Sequence, residues 1–204
     1  MNIKSLWRRL DSLALEAVLG LTLLLVSLFG VLLPILGVTS LLSSTETHDV
    51  RIDGTAQIPS PGALSADAMT LRGTDNAALT FTHPSVAERL LLILPGVTNA
   101  LLLGVILGLL VRMAGTFRSG DAFVPQNARY LNGIALAVLL MGVLVPLLHS
   151  ITTNILISGT PFESKIKITY EISALWVLAA ILIAGVAGAF RHGTRLRDDV
   201  EGLV

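Results

Sequence analysis

Residues 90–111 read LLLILPGVTNALLLGVILGLLV, an uncharged run between Arg89 and Arg112. A helix needs about 20 predominantly apolar residues to cross the hydrocarbon core of a bilayer, and a helix on the surface of a soluble domain keeps a polar face. This stretch therefore reads as a transmembrane helix. Three further blocks share its character: Leu13–Leu42, Ile134–Ile151 and Ile172–Phe190. The first is longer than a perpendicular helix requires, so it must tilt, kink at Pro34 or project beyond the bilayer. It follows Lys4, Arg8 and Arg9 as a secretory leader would. Its apolar run is about twice the ~7–15 residues of such a leader, however, and it reads as an uncleaved anchor.

The whole composition agrees with a multi-pass membrane protein. Of 204 residues, 53% are hydrophobic and only 14% charged, and the mean hydropathy is +0.78. Soluble domains are about 25% charged. Fourteen Lys+Arg balance fourteen Asp+Glu, which excludes a chain-wide basic footprint for direct nucleic-acid binding. The absence of cysteine excludes disulfides, thiolate metal ligands and cysteine nucleophiles.

Lys and Arg are distributed asymmetrically between the connections. Lys4, Arg8, Arg9, Arg112, Arg118, Arg129, Arg191, Arg195 and Arg197 fall on one side; Arg51, Arg72, Arg89, Lys165 and Lys167 fall on the other. The bias toward cytoplasmic positive charge puts both termini in the cytoplasm and the loops 43–89 and 152–171 outside. Within those loops, Asp49–Gly54, Met69–Arg72, Leu79–Thr82 and Lys165–Tyr170 are short, alternating and bounded by turn residues, the pattern of half-buried strands. Residues 57–62 are a turn-rich linker. Neither loop is long enough to bury much alone, so the two are expected to combine into a small extracytoplasmic β cap on the helix ends. Such a cap can simply satisfy loop backbone, or it can bind a ligand.

Ionisable groups deep in a span point to function by default. Here only Glu16, near the start of the first span, and His149, near the end of the third, come close. Pumps and ion-coupled transporters need titratable groups near the midplane, and this chain offers none. Asn99, beside Thr98, is suited to an interhelical hydrogen bond. Gly96, Ala100, Gly104 and Gly108 put a small residue at every fourth position of the second span, and Ala180, Ala184 and Gly188 repeat the spacing in the fourth. These ridges predict close packing of the second span on the fourth, with dimerisation as the other use of such a surface. No Gly-x-Ser-x-Gly, His-Glu-x-x-His, phosphate-binding glycine loop or calcium-loop pattern occurs. The expectation is a protein with no catalytic residues, metal or cofactor; His48, Asp49 and Asp53 make only a weak metal-ligand pattern.

Two segments on the inner side carry the remaining signal. The connection between the second and third spans contains Gly120, Phe123, Pro125, Asn127 and Leu131, with Ser119-Gly120 a turn and Pro125 placed for a first helical turn. The tail, 191–204, puts Leu196, Val200 and Leu203 at i, i+4 and i+7 of a helix continuing the fourth span. Arg195–Asp199 and Arg197–Glu201 form i, i+4 pairs on its other faces, and Asp198 adds to the charge. Such a stripe either docks a partner or folds back on the inner connection.

In these two segments the chain resembles the bacterial four-span membrane family catalogued as domain of unknown function 2975. The resemblance rests on the Gly-x-x-Phe turn at Gly120 and Phe123, on Asn127, and on the ending Phe190, Arg191, Gly193, Leu196, Asp199, Gly202, Leu203 and Val204. Val124 stands where that family has a Ser or Thr helix cap. The resemblance covers nearly the whole chain in its span layout. It implies a bacterial membrane protein without known enzymatic activity, often encoded beside small helix-turn-helix regulators, and hence a regulatory partnership.

The sequence thus predicts a four-helix transmembrane bundle with a small extracytoplasmic β cap, forming one membrane domain over 1–204. Two functions follow. In the first, a non-enzymatic regulator docks a cytosolic DNA-binding partner through Leu196, Val200 and Leu203, with Arg195, Arg197, Asp198 and Asp199 setting its orientation. In the second, the cap or a groove in the bundle binds a lipid or membrane-active peptide, as a sensor or immunity protein would.

Overall fold

The structure is a computed structural model, and it describes residues 3–38, 45–51, 65–66, 69–73, 76–82, 84–118, 124–161, 163, 166, 170 and 172–201. The helices are α1 (Ile3–Ser27), α2 (Leu33–Val38), α3 (Val86–Arg118), α4 (Pro125–Ile157) and α5 (Ala174–Glu201), with a π-helical turn, Leu28–Leu32, joining α1 to α2. Ala14–Val38, Val86–Phe117, Pro125–Ile157 and Ala174–Leu196 are long and apolar enough to cross a membrane. The chain is a helical, multi-pass membrane protein.

Pro34 does interrupt the first span, through a widened turn just ahead of it. Proline has no N–H to give the carbonyl four residues earlier, here that of Gly30, and its ring crowds that carbonyl. A π turn is one way a helix absorbs this. The other helices outrun their apolar blocks. At the start of α3, the Ser85 N–H donates to Glu88 Oε2 at 2.7 Å, and the Glu88 N–H donates to Ser85 Oγ at 3.3 Å. This reciprocal cap lets the helix begin ahead of its first leucine. α4 continues through Ile157, so the connection expected from residue 152 begins six residues later. Within that continuation Thr152 and Thr153 are buried, and their hydroxyls donate to the His149 carbonyl at 3.1 and 2.7 Å, so neither polar group is left unsatisfied. Gly159, with φ of 76°, then turns the chain in the left-handed conformation that favours glycine after a helix end.

Contacts divide the chain into two compact units, Met1–Gly30 with Asn99–Val143 and Ser173–Val204, and Val31–Thr98 with Leu144–Ile172. In the first unit, successive helices run antiparallel. A Cβ on Gly30 would lie 2.6 Å from Ala100 Cβ, one on Gly104 3.9 Å from Leu23 Cδ1, and one on Gly115 3.9 Å from Glu16 Oε1. Those three points run in opposite directions along α1 and α3. Between α3 and α4, a Cβ on Gly133 would meet Leu109 Cδ1 at 3.0 Å; between α4 and α5, one on Gly142 would collide with Trp176. The core joins α3, α4 and α5 in two clusters. Ile134, Val138 and Ala180 pack with Ile106, Leu109, Leu110 and Ile183, and Met113, Leu131 and Ala187 pack with Tyr130, Ile183 and Phe190. α1 lies at the periphery, and none of its span is buried.

The second and fourth spans do pack, with Ala180 against Ile106, Leu109 and Leu110, but the small-residue row expected on the second span is corrected. Ala100 faces Gly30 in the π-helical turn, Gly104 faces Leu23 of α1, and nothing lies within 4 Å of a Cβ on Gly96, Gly108 or Gly188. A four-residue step advances about 400° around a helix, so a row of such steps drifts by ~40° each time and cannot hold one straight neighbour along its length. α3 meets α5 instead through the row containing Ile106, Leu110 and Met113.

The second unit contains a four-stranded antiparallel sheet in the order β1-β4-β3-β2, from Thr45–Arg51, Ser65–Ala66, Met69–Gly73 and Asn76–Thr82. Phe81 pairs across to Glu46 and Met69, and its ring is fully buried. All four strands come from the first loop. In the second loop, the predicted strand Lys165–Tyr170 lies mostly outside the described residues; Ile166 is buried and makes a single-residue bridge. Asp53, Gly54 and the linker 57–62 also lie outside the described residues.

Candidate functional site

α5 carries the tail without a break to Glu201. Its buried side chains, Ala180, Ala187 and Thr194, recur every seven residues, with Ile183 and Phe190 between them. This is the seam of a helix packed along one face. Leu196 stands two residues past Thr194, about 200° around the helix. It is 67% exposed, on the side that Leu178 and Leu182 continue along the span. Of the two uses foreseen for the stripe, folding back on the inner connection is not seen at Leu196. Arg195 is exposed beside it. Arg197, Asp198, Asp199 and Val200 continue the helix, with side chains outside what the structure describes, and Leu203 lies outside the described residues.

Of the inner-connection residues, Gly120 and Phe123 lie outside the described residues, whereas Asn127 is fully buried. The Asn127 N–H donates to the Val124 carbonyl at 3.0 Å. The backbone of Val124 thus satisfies a first-turn donor that a Ser or Thr side chain there would otherwise accept from. Across the helix pair, Thr116 Oγ1 lies 2.9 Å from Asn127 Oδ1 and 2.7 Å from the Met113 carbonyl, and its single proton serves both. This polar contact ties the last turns of α3 to the first turn of α4. Thr194, also buried, donates to the Arg191 carbonyl at 2.8 Å. Asn99 is half-buried on α3, and its neighbour Thr98 donates to the Leu94 carbonyl at 2.8 Å.

Arg89 is the residue that sequence reasoning missed. Counted only as a loop charge, it is instead 5% exposed in the first turns of α3. Its Nε donates to the Pro84 carbonyl at 3.1 Å, and Nη1 donates to the Gly37 carbonyl at 3.2 Å. The guanidinium thereby fastens the end of α2 to the start of α3. The signal was the Ser85-x-x-Glu88 capping pattern, which puts Arg89 on the helix and not in the loop.

Chemically these groups hold helices together. Among the described residues, no three His, Asp or Glu approach closely enough to hold a metal ion, and every buried side-chain nitrogen or oxygen has a hydrogen-bond partner. What the site offers outward is an apolar and basic helix surface at the end of α5. No family model, curated protein or solved structure matches the chain.

Proposed function

We propose that the chain is a non-enzymatic regulator in a bacterial cell membrane, with both termini cytoplasmic and the four-stranded sheet forming an extracytoplasmic cap. In this reading α5 extends past its membrane span, and Leu196 at the end of the span and Val200 beyond it meet a cytosolic DNA-binding protein of the helix-turn-helix class. The observation that carries the reading is the 67% exposure of Leu196 on a helix that continues to Glu201. The resemblance to the family of unknown function 2975 supports it from the sequence side.

Burying a Leu or Val side chain is worth roughly 1.5–3 kcal/mol, so two together set affinity by about a hundredfold or more. The test is Leu196→Ser with Val200→Ser in detergent-solubilised membranes, with co-purifying proteins identified by mass spectrometry. Wild type should retain a DNA-binding regulator that the double variant loses while its melting temperature is unchanged. Equal retention by both forms refutes docking through this face.

A further inference from the structure

The strongest unassigned feature of the molecule is a duplication. Ala114-Gly-Thr-Phe-Arg-Ser-Gly120, where α3 ends, recurs as Ala187-Gly-Ala-Phe-Arg-His-Gly193 in α5, with five of seven positions identical. Gly30-Val-Leu-Leu-Pro-Ile-Leu36 in the first span recurs as Gly142-Val-Leu-Val-Pro-Leu-Leu148 in α4, again with five of seven identical. The two motifs appear in the same order in each half, so the repeating unit is a pair of spans. The first copy differs by an insertion that carries the sheet, Thr45–Thr82.

The packing follows the repeat. In both copies the motif glycine is a point of closest approach within its hairpin, Gly30 against Ala100 and Gly142 against Trp176. Ala114 corresponds to Ala187, and at the same spacing Leu107 corresponds to Ala180; all four are buried. Ala180 shares its cluster with Ile106, Leu109 and Leu110, and Ala187 shares its cluster with Met113. The even-numbered spans thus run parallel and touch at corresponding heights, the arrangement that two like hairpins adopt about an axis along the membrane normal.

That register sets the Phe-Arg pair that follows each Ala-Gly at one level of the membrane. The candidate span in α3 ends at Phe117, immediately before Arg118, and that in α5 ends at Leu196, five residues past Arg191. Phe117 is exposed, Phe190 packs half-buried on the Met113–Leu131–Ala187 cluster, and Arg191 is exposed. A single arginine near the end of a membrane span is ordinary, because its long side chain reaches headgroup water. Its recurrence inside a duplicated motif, on two parallel helices in register, marks a built feature.

We infer that the chain is a tandem duplication of a two-span hairpin, and that the arginines at corresponding places in its even-numbered spans, Arg118 and Arg191, each take the phosphate of an anionic phospholipid. The arginine guanidinium offers a planar fork of donors matched to phosphate oxygens. One chain then holds two such lipids.

The experiment is native mass spectrometry of the full-length chain after exchange into phosphatidylglycerol and, in a parallel sample, into zwitterionic phosphatidylcholine. Wild type should retain two more molecules of phosphatidylglycerol than of phosphatidylcholine. Arg118→Gln and Arg191→Gln should each retain one more, and the double variant none. Arg129→Gln removes the same charge from a position without a repeat counterpart and should keep the excess of two. Loss of lipid by Arg129→Gln equal to that of the motif variants, or an excess of two in either motif variant, overturns the assignment. Each variant also carries Met113→Cys with Ala187→Cys, which the cysteine-free background permits. Disulfide formation reports an intact seam, and its failure in the otherwise wild-type chain overturns the in-register pairing itself.

Discussion

Replacing Gly142 with alanine adds one methyl group where α4 meets α5. A Cβ built there collides with Trp176 Cβ, lies 3.2 Å from its Cγ and 3.7 Å from its Cα. None of those atoms is the free end of a side chain, so relief requires the helix axes to separate. Forced overpacking of this kind typically costs ~1–3 kcal/mol. Alanine returns up to ~1 kcal/mol through its better helix propensity. The balance is a net loss of about 1–2 kcal/mol, a fall in melting temperature of roughly 2–8 °C for a chain of this size. Gly108→Ala makes the same chemical change with no heavy atom within 4 Å of the new methyl, and it should melt at or above wild type. The assay is thermal unfolding in one detergent, followed by tryptophan fluorescence or by dye labelling of a single cysteine placed in the core. A third variant isolates the contact: in a Trp176→Gly background the obstructing side chain is gone, and Gly142→Ala should become neutral or stabilising. Gly142→Ala melting as well as wild type would refute the close approach. A penalty that persists in the Trp176→Gly background would assign the cost to some other contact.

Two further perturbations probe the polar ties. Asn127→Ala should destabilise by ~1–3 kcal/mol because it removes a fully buried amide and the acceptor that ties it to Thr116 Oγ1, and combining it with Thr116→Val should cost less than the sum of the two, as melting of the single and double variants will report. Arg89→Met should cost about 3 kcal/mol or more, because the Pro84 and Gly37 carbonyls each lose a charge-assisted hydrogen bond; an unchanged denaturation midpoint refutes the clamp.

The membrane class and the four spans were legible because hydrophobic runs of this length have no other stable use in a chain so poor in charge. The helix ends were less so. Hydropathy stops where leucines stop, but Ser85 and Glu88 cap a helix start, and Thr152 and Thr153 satisfy their hydroxyls on their own helix, through local hydrogen bonds that hydropathy does not register. The glycines were legible as close-approach positions and illegible as to partner. Spacing alone did not show that Gly104 faces α1, or that Gly30 and Gly142 make the tightest contacts. Asn127 was singled out through a family resemblance, and its burial adds a physical reason for an amide there. Arg89 was hidden because a charge beside an apolar run is usually counted for topology and not for bonding.

The pattern of buried residues follows from the solvent. In lipid, an apolar side chain gains almost nothing by leaving the acyl chains for a protein interior, so helices associate through close packing and a few hydrogen bonds. The buried set is accordingly rich in small residues, with Ala100, Ala114, Ala128, Ala135, Ala137, Ala180 and Ala187 all inside, while Leu175, Ile181 and Leu182 remain more than half exposed. In a water-soluble protein that exposure would mark a surface awaiting a partner; along a membrane span it marks the face turned to lipid. The same side chain changes meaning where the helix leaves the bilayer. Leu196 ends the candidate span in α5 and lies on the continuation of the lipid-facing side, next to the exposed Arg195. There lipid no longer covers an apolar stripe at no cost, and the proposals for a docking tail and for phosphate-binding arginines meet at this boundary. They separate by residue: docking depends on Leu196 and Val200, and lipid retention on Arg118 and Arg191.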